Sequence, residues 1–469
     1  MNSIRIGTEA LKNKVMMGIQ GGWKTYLIIT FVEAVAGVFL VYPFIGLADG
    51  FSRWNLAMEI CENGKIVSDT LLSPIISYMQ AFTWRVFNSY AVYTLFQAWF
   101  FYIAIGVNTR ELLPGKRWWI LVAQGIVLFP VFYIFPLLLT DSAPTYILIA
   151  LLCPVIIHGH DIYRFVFMLV LVSLCVGIRV NSLVLMTLIV VAFTGLTISR
   201  RTRRREYAIT AIVVLIGMAL GVILPSQLLP SNHNASVLGM VWEMTGICKQ
   251  YPSDGLKEEM SKYGDIEEAI NRYDEDYLNS IVWDNNPPYP AFDISEGEKA
   301  SEITKIYLNQ IFHNTRHYMK VKMRFMSLAL GIVDQLITSR RGVHAVDEIT
   351  VGYGALPTAR QNDIRELFYT STDKIGFISL RPVVIMCLTI FIGILMTISK
   401  TDCRTTFAYI FMAIGYYSSF LINTQAHEYR YFAPSFCILL IVFICGCIKL
   451  IIKMAGKIGE ILKTNLSKS

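Results

Sequence analysis

Residues 179–206 read RVNSLVLMTLIVVAFTGLTISRRTRRRE. From Asn181 to Ser199 no side chain is charged, and about 20 consecutive apolar residues are what a helix needs to cross the hydrocarbon core of a bilayer. The run ends in Arg200-Arg201-Thr202-Arg203-Arg204-Arg205, the densest basic cluster in the chain. Short loops rich in Lys and Arg stay on the cytoplasmic side. This one stretch therefore predicts a span, its direction, and an outer end at Arg179.

Working outward, the same kind of apolar window recurs at 26–46, 86–107, 117–139, 143–158, 162–178, 207–229, 379–399, 405–424 and 433–453, so about ten spans are expected with 181–199 included. Composition agrees. The 469 residues are 54% hydrophobic and only 16% charged, with mean hydropathy +0.51, against about 45–50% apolar and about 25% charged in a soluble domain. A soluble enzyme and a disordered chain are both excluded. The net charge of +7 sits at helix ends rather than in a basic region interleaved with aromatics, which indicates a membrane and no nucleic-acid partner. The nine cysteines show neither CxxC nor Cys/His ligand spacing, so no zinc site or disulfide framework is expected. No cleavable signal is evident at the N-terminus.

Alternation from the 199–206 cluster puts 1–25, 108–117 and the tail, with Lys449, Lys453, Lys457, Lys463 and Lys468, on the cytoplasmic side. Both termini are then cytoplasmic. The expected fold is an all-α integral membrane protein in three parts. Residues 1–229 carry spans one to seven and a first outer loop at 47–85. Residues 230–378 form an extracytoplasmic, mainly helical domain. Residues 379–469 carry spans eight to ten and a basic tail. The acidic stretch 254–298 lacks the spacing of a calcium loop and reads as a solvated helical face. Residues 320–334 and 8–22 each suggest a helix lying along a membrane surface.

Charged groups near the bilayer are costly and need a reason. Asp49, in Tyr42-Pro43-Phe44-Ile45-Gly46-Leu47-Ala48-Asp49-Gly50-Phe51-Ser52-Arg53-Trp54, closely follows the first span. A carboxylate desolvated at that boundary can take a proton from a hydroxyl as general base. Its bland alternative is a helix cap near Ser52 or an ion pair with Arg53. Arg179, with Asn181 two residues on, lies in a very short outer loop at headgroup depth, where a guanidinium meets phosphate bidentately. The alternative there is snorkelling to lipid. His427-Glu428-Tyr429-Arg430-Tyr431 precedes the last span, again outside. Arg430 among aromatics suits a phosphate leaving group or a sugar face, and an aromatic belt is the alternative. Asp69 and Glu59 are further acids of the first outer loop. One acid and two cations at the outer ends of distant spans fit transfer from a lipid phosphate. A pump would place its acids within the spans, where Glu33 is the main example here, read as a hydrogen bond to a neighbouring helix.

On these residues the chain resembles the polytopic glycosyltransferase-C superfamily, and within it the bacterial O-antigen-modifying glucosyltransferases and related surface-polysaccharide transferases. The resemblance rests on Asp49 in the first outer loop, Ser73-Pro74 where relatives often carry a His-Pro turn, and the Arg179-x-Asn181 opening of a mid-chain span. It rests also on the large outer domain, on Tyr307 to Arg324 with Asn314 and Tyr318, and on Arg430-Tyr431-x-x-Pro434. It implies a hexosyltransferase of the bacterial cytoplasmic (inner) membrane. The donor would be a sugar, glucose among the candidates, on a polyprenyl phosphate such as undecaprenyl phosphate. The acceptor would be a lipid-linked or surface glycan such as the O-antigen of lipopolysaccharide.

Asp49 would be the catalytic base. Arg179 and Arg430 would contact the phosphate, and Asn181, Tyr429, Tyr431, Asp69 and Glu59 would contact substrate. Functional partners would be a polyprenyl-phosphate sugar synthase and a flippase. Relatives often pair two acids in that loop, whereas Gly50 follows Asp49. The single acid suits metal-free transfer, with no metal or other cofactor. A phosphate leaving group needs cations rather than a proton. The rival readings are a polysaccharide polymerase or ligase using a diphosphate-linked donor, and a transporter. Cys61 and Cys248, the cysteines of the outer segments, are either a disulfide pair or two free thiols.

Overall fold

The computed structural model describes residues 23–41, 48–113, 115, 120, 124, 142–158, 162–179, 182–183, 186–187, 204–231, 233–252, 254–276, 278–334, 381–401, 403–422 and 429–466. The predicted spans 117–139 and 181–199, the stretch 8–22, and Asn181 lie outside the described residues apart from isolated positions. Among the described residues the regular structure is helical throughout, with a single isolated bridge between His233 and Glu296.

Eight helices carry the apolar windows: α1 (Trp23–Val41), α4 (Tyr90–Leu112), α5 (Ser142–His158), α6 (Ile162–Ile178), α7 (Arg204–Gln227), α15 (Pro382–Ile398), α16 (Arg404–Ile422) and α17 (Tyr429–Leu466). Within these, Ala91–Leu112, Ala208–Gln227 and Tyr431–Gly459 are long and apolar enough to cross a membrane, and shorter apolar stretches lie in α5, α6 and α15. The segment between α1 and α4 holds α2 (Ala48–Asn63) and α3 (Pro74–Phe87). The long hydrophilic region holds α8 (Ser236–Gln250), α9 (Asp254–Ser261), α10 (Ile266–Arg272), α11 (Asn279–Val282), α12 (Ala291–Ile294), α13 (Gly297–His313) and α14 (Thr315–Ala329).

Side-chain contacts fix the directions of the apolar helices. α1 and α4 are antiparallel: Trp23 lies under the Arg110 guanidinium, Tyr26 donates to the Tyr102 carbonyl, and Phe31 meets Trp99. Near the end of α4, Asn108 accepts from Tyr409, which belongs to the start of α16. The far end of α16 and the start of α17 meet at Phe420 and Tyr431, with Tyr417 against Phe432. α17 then runs parallel to α15, from Leu439 beside Thr389 to Lys453, whose ammonium donates to the Ser399 carbonyl. One end of the bundle therefore gathers the end of α6, the end of α16 and the start of α17. The opposite end gathers Trp23, Arg110, Ser399 and Lys453.

α6 and α7 run parallel through small residues. Gly217 and Gly221 have the Gly-x-x-x-Gly spacing that lets two helix backbones approach. A Cβ on Gly221 would lie 2.7 Å from the Ser173 carbonyl, and one on Gly217 would lie 2.9 Å from Val172. Because the pair is parallel, the connection from Arg179 to Arg204 starts and finishes at opposite ends of the bundle. The basic segment opening α7 is thus remote from Arg179. Elsewhere α7 shows Ile212, Leu215, Ile216, Val222, Ile223 and Leu224 to its surroundings, an apolar face that suits hydrocarbon rather than water.

A second core, built from Trp242, Val241, Ile281, Tyr289, Ile303 and Phe325 among others, holds α8 to α14 together. Trp242 stacks on Phe325 at 4.5 Å, and Asp265 caps α10 by accepting from the Glu268 N–H at 3.0 Å. Residues 320–334 divide between a buried face and exposed apolar side chains such as Met323, Ile332 and Val333. The α14 face bearing Val321, Lys322, Phe325 and Leu328 is buried. Lys322 is buried because its ammonium meets the Glu243 carboxylate of α8, and a buried charge persists only when paired. The end of α14 docks on the bundle: the Ala329 carbonyl accepts from Tyr417, and the Leu330 carbonyl from the Val383 N–H.

The α2–α3 segment has its own small core of Trp54, Leu56, Ala57, Ile60, Ile66 and Ala81. Arg85 of α3 donates to the Ile60 carbonyl at 2.6 Å and the Cys61 carbonyl at 3.2 Å, adding to the Gly64 N–H that also closes the end of α2. Cys61 and Cys248 sit in separate cores and are both free thiols.

Candidate functional site

The end of α6 is where distant segments converge. Gly177 makes this possible, since a Cβ there would come within 2.3 Å of Ile75 and 3.3 Å of the Gly221 carbonyl. Without one, the start of α3 and the end of α7 both close on the same turn. Ser73 caps α3 and its hydroxyl donates to the Gly177 carbonyl. Arg53, buried on α2, donates to the Ser73 carbonyl at 3.1 Å. The α2–α3 segment is thereby tied to the segment that carries Arg179.

Arg179 follows two residues later, its N–H accepted by the Cys175 carbonyl. Its side chain is 8% exposed. The guanidinium carbon lies 5.4 Å from the Phe420 ring centre and 5.2 Å from that of Tyr431, and these two rings stack at 4.9 Å. Both distances are within the roughly 6 Å at which a ring face attracts a cation. Arg179 and Tyr431, far apart in sequence, are thus brought into contact. A guanidinium packed against two rings has few orientations left for its planar fork of donors, and that fork is the part that suits a phosphate.

The other predicted residues fall out as follows. Asp49 lies in the first turn of α2, one turn before Arg53; the helix begins at Ala48 rather than near Ser52. The Asp49 side chain, and those of Tyr429 and Arg430 at the start of α17, lie outside the described residues. Pro434, one turn on, has no N–H to give the Arg430 carbonyl. Glu59 accepts from the Val67 and Ser68 N–H groups at 3.1 Å and from the Ser68 hydroxyl. Slight burial works against its charge, but these hydrogen bonds outweigh it and hold its carboxyl below the usual carboxylate range. Asp69 accepts from the Ser231 hydroxyl and lies 3.9 Å from His233. Both acids therefore have bonding partners within the fold. Glu33 accepts from Gln124 at 3.3 Å, the interhelical bond expected of it.

Two sets of bonds had no signal in the sequence, although Tyr307 and Tyr318 belong to the motif named above. Arg381, at the start of α15, donates to the Gly331 carbonyl at 2.8 Å beside the strand of contacts through Tyr417. The Glu243–Lys322 pair is completed by Tyr307, which donates to Glu243 at 2.7 Å and meets Tyr318 at 3.1 Å. Burial first, and then the Glu243 carboxylate, push the Tyr307 hydroxyl well above the ordinary tyrosine range. Burial likewise raises the Cys248 thiol to about 11, so it is not a reactive thiolate. Among the described residues no three His, Cys, Asp or Glu side chains assemble as metal ligands. Compared with protein-family models, with curated proteins and with solved structures, the chain matches none significantly.

Proposed function

We propose that this protein is a membrane glycosyltransferase that moves a hexose from a polyprenyl-phosphate carrier to a lipid-linked or surface glycan. The reaction runs on the face of the bundle that holds Arg179, the outer face of the cytoplasmic membrane. The observation that carries the reading is the seat of Arg179 against the stacked pair Phe420 and Tyr431, joined through Gly177, Ser73 and Arg53 to the helix that bears Asp49. Asp49 takes the proton of the acceptor hydroxyl as its oxygen bonds to the anomeric carbon. The bond from that carbon to the phosphate oxygen breaks, and the departing phosphate takes the electron pair. Arg179 and Arg430 stabilise the charge that gathers on the phosphate, the kind of preorganised help that lowers a barrier most. The ten-span count, with both termini cytoplasmic and residues 230–378 outside, belongs to the same proposal.

Purified protein in detergent, given a polyprenyl-phosphate hexose and a lipid-linked glycan, is expected to form the extended glycan. Transport that requires a sealed bilayer, with no transfer in detergent, would contradict the reading.

A further inference from the structure

The inner face of α3 is unused by the chemistry above. Ser73, Ser77 and Gln80 follow at spacings of four and three residues, so they form one stripe along the helix. Ser73 binds the Gly177 carbonyl, two residues from Arg179. Ser77 and Gln80 are fully buried. Among the described residues, the Ser77 hydroxyl and both polar atoms of the Gln80 amide have no hydrogen-bond partner. Folded proteins pair such groups almost without exception, and a core position with no polar task would hold Leu or Met.

We infer that this stripe is a hydroxyl-recognition subsite for the glycosyl group of the donor, an inference that rests on the transferase reading. An amide offers two donors and an acceptor, and a serine hydroxyl offers one donor and two lone pairs. Sugar hydroxyls complement both. With the carrier phosphate on Arg179, the hexose extends along α3, whose first residue is bonded to the same turn of α6. Both amide atoms are sealed in this packing, so the ligand reaches them when α3 swings about its first turn, with Ser73 kept on the Gly177 carbonyl. The helix is bounded for that movement: Ser73-Pro74 breaks the chain before it, and Asn88, at φ 50°, breaks it after. Its opposite face shows Met79, Phe82 and Val86, which stay against lipid as the inner face opens.

The test measures binding of two lipids to the purified full-length protein: polyprenyl phosphate, and the same lipid carrying a hexose. Wild type is expected to bind the hexose-bearing lipid about tenfold tighter, the effect of one or two well-made hydrogen bonds. Gln80→Leu should erase that increment, leave the sugar-free lipid unaffected, and melt no lower than wild type because it removes an unsatisfied amide. An unchanged increment in Gln80→Leu, or a melting temperature lower by several degrees, would overturn the subsite. Wild type that binds both lipids equally would overturn the subsite alone. Wild type that binds neither would overturn the transferase reading from which it starts.

Discussion

Arg179 shows how one side chain is specified by three distant parts of the chain. Gly177 lets α3 and α7 approach its turn, Phe420 supplies one ring, and Tyr431 supplies the other. Lysine keeps the charge but lacks the flat face and the fork of donors. Arg179→Lys should therefore retain the fold while sugar transfer falls about 10- to 100-fold, a loss of one or two charge-assisted contacts; steady-state kinetics beside a melting curve would check it. The place of Arg179 at the end of an apolar helix was legible in the sequence, because a cation beside an apolar run stands out. The bonding partners of Glu59 and Asp69 were not. Nothing in the order of residues says that Glu59 will turn back to bind Val67 and Ser68, or that Asp69 will meet Ser231 across 162 positions.

At the level of elements, the apolar helices were easy to read because a bilayer imposes one length and one composition on them. Their packing was harder. The Gly217/Gly221 contact that sets α6 parallel to α7 depends on which neighbour faces the glycines. The buried face of α14 was not legible because its cations look alike in sequence, whereas only Lys322 is buried against Glu243. That pair joins α8 to α14, and α14 in turn reaches Tyr417. Breaking a buried pair on one side leaves a bare charge and typically costs about 3–5 kcal/mol, whereas replacing both partners by apolar groups is often close to neutral. Lys322→Met should thus markedly lower the melting temperature of the α8–α14 core, and Lys322→Met with Glu243→Leu should recover most of it. Equal losses in the single and double variants would show that the pair contributes nothing of its own.

For the molecule as a whole, the alternation of basic loops predicted two faces, and the helix directions place Arg110, Lys453 and the start of α7 at the end opposite Arg179. If the Arg179 end is outside, Ser301→Cys on α13 should react with a membrane-impermeant thiol reagent in intact cells of a cysteine-free background. Gly456→Cys, near the end of α17, should react only after the membrane is opened. The reverse pattern would invert the topology. The central claim is that the Asp49 carboxylate and the guanidinium groups act together on one carrier-lipid head. It is tested most directly by the rate of sugar transfer from a polyprenyl-phosphate hexose by purified Asp49→Asn. Loss of a general base predicts a fall of about 10²- to 10⁴-fold with lipid binding retained, and transfer at the wild-type rate would contradict the account.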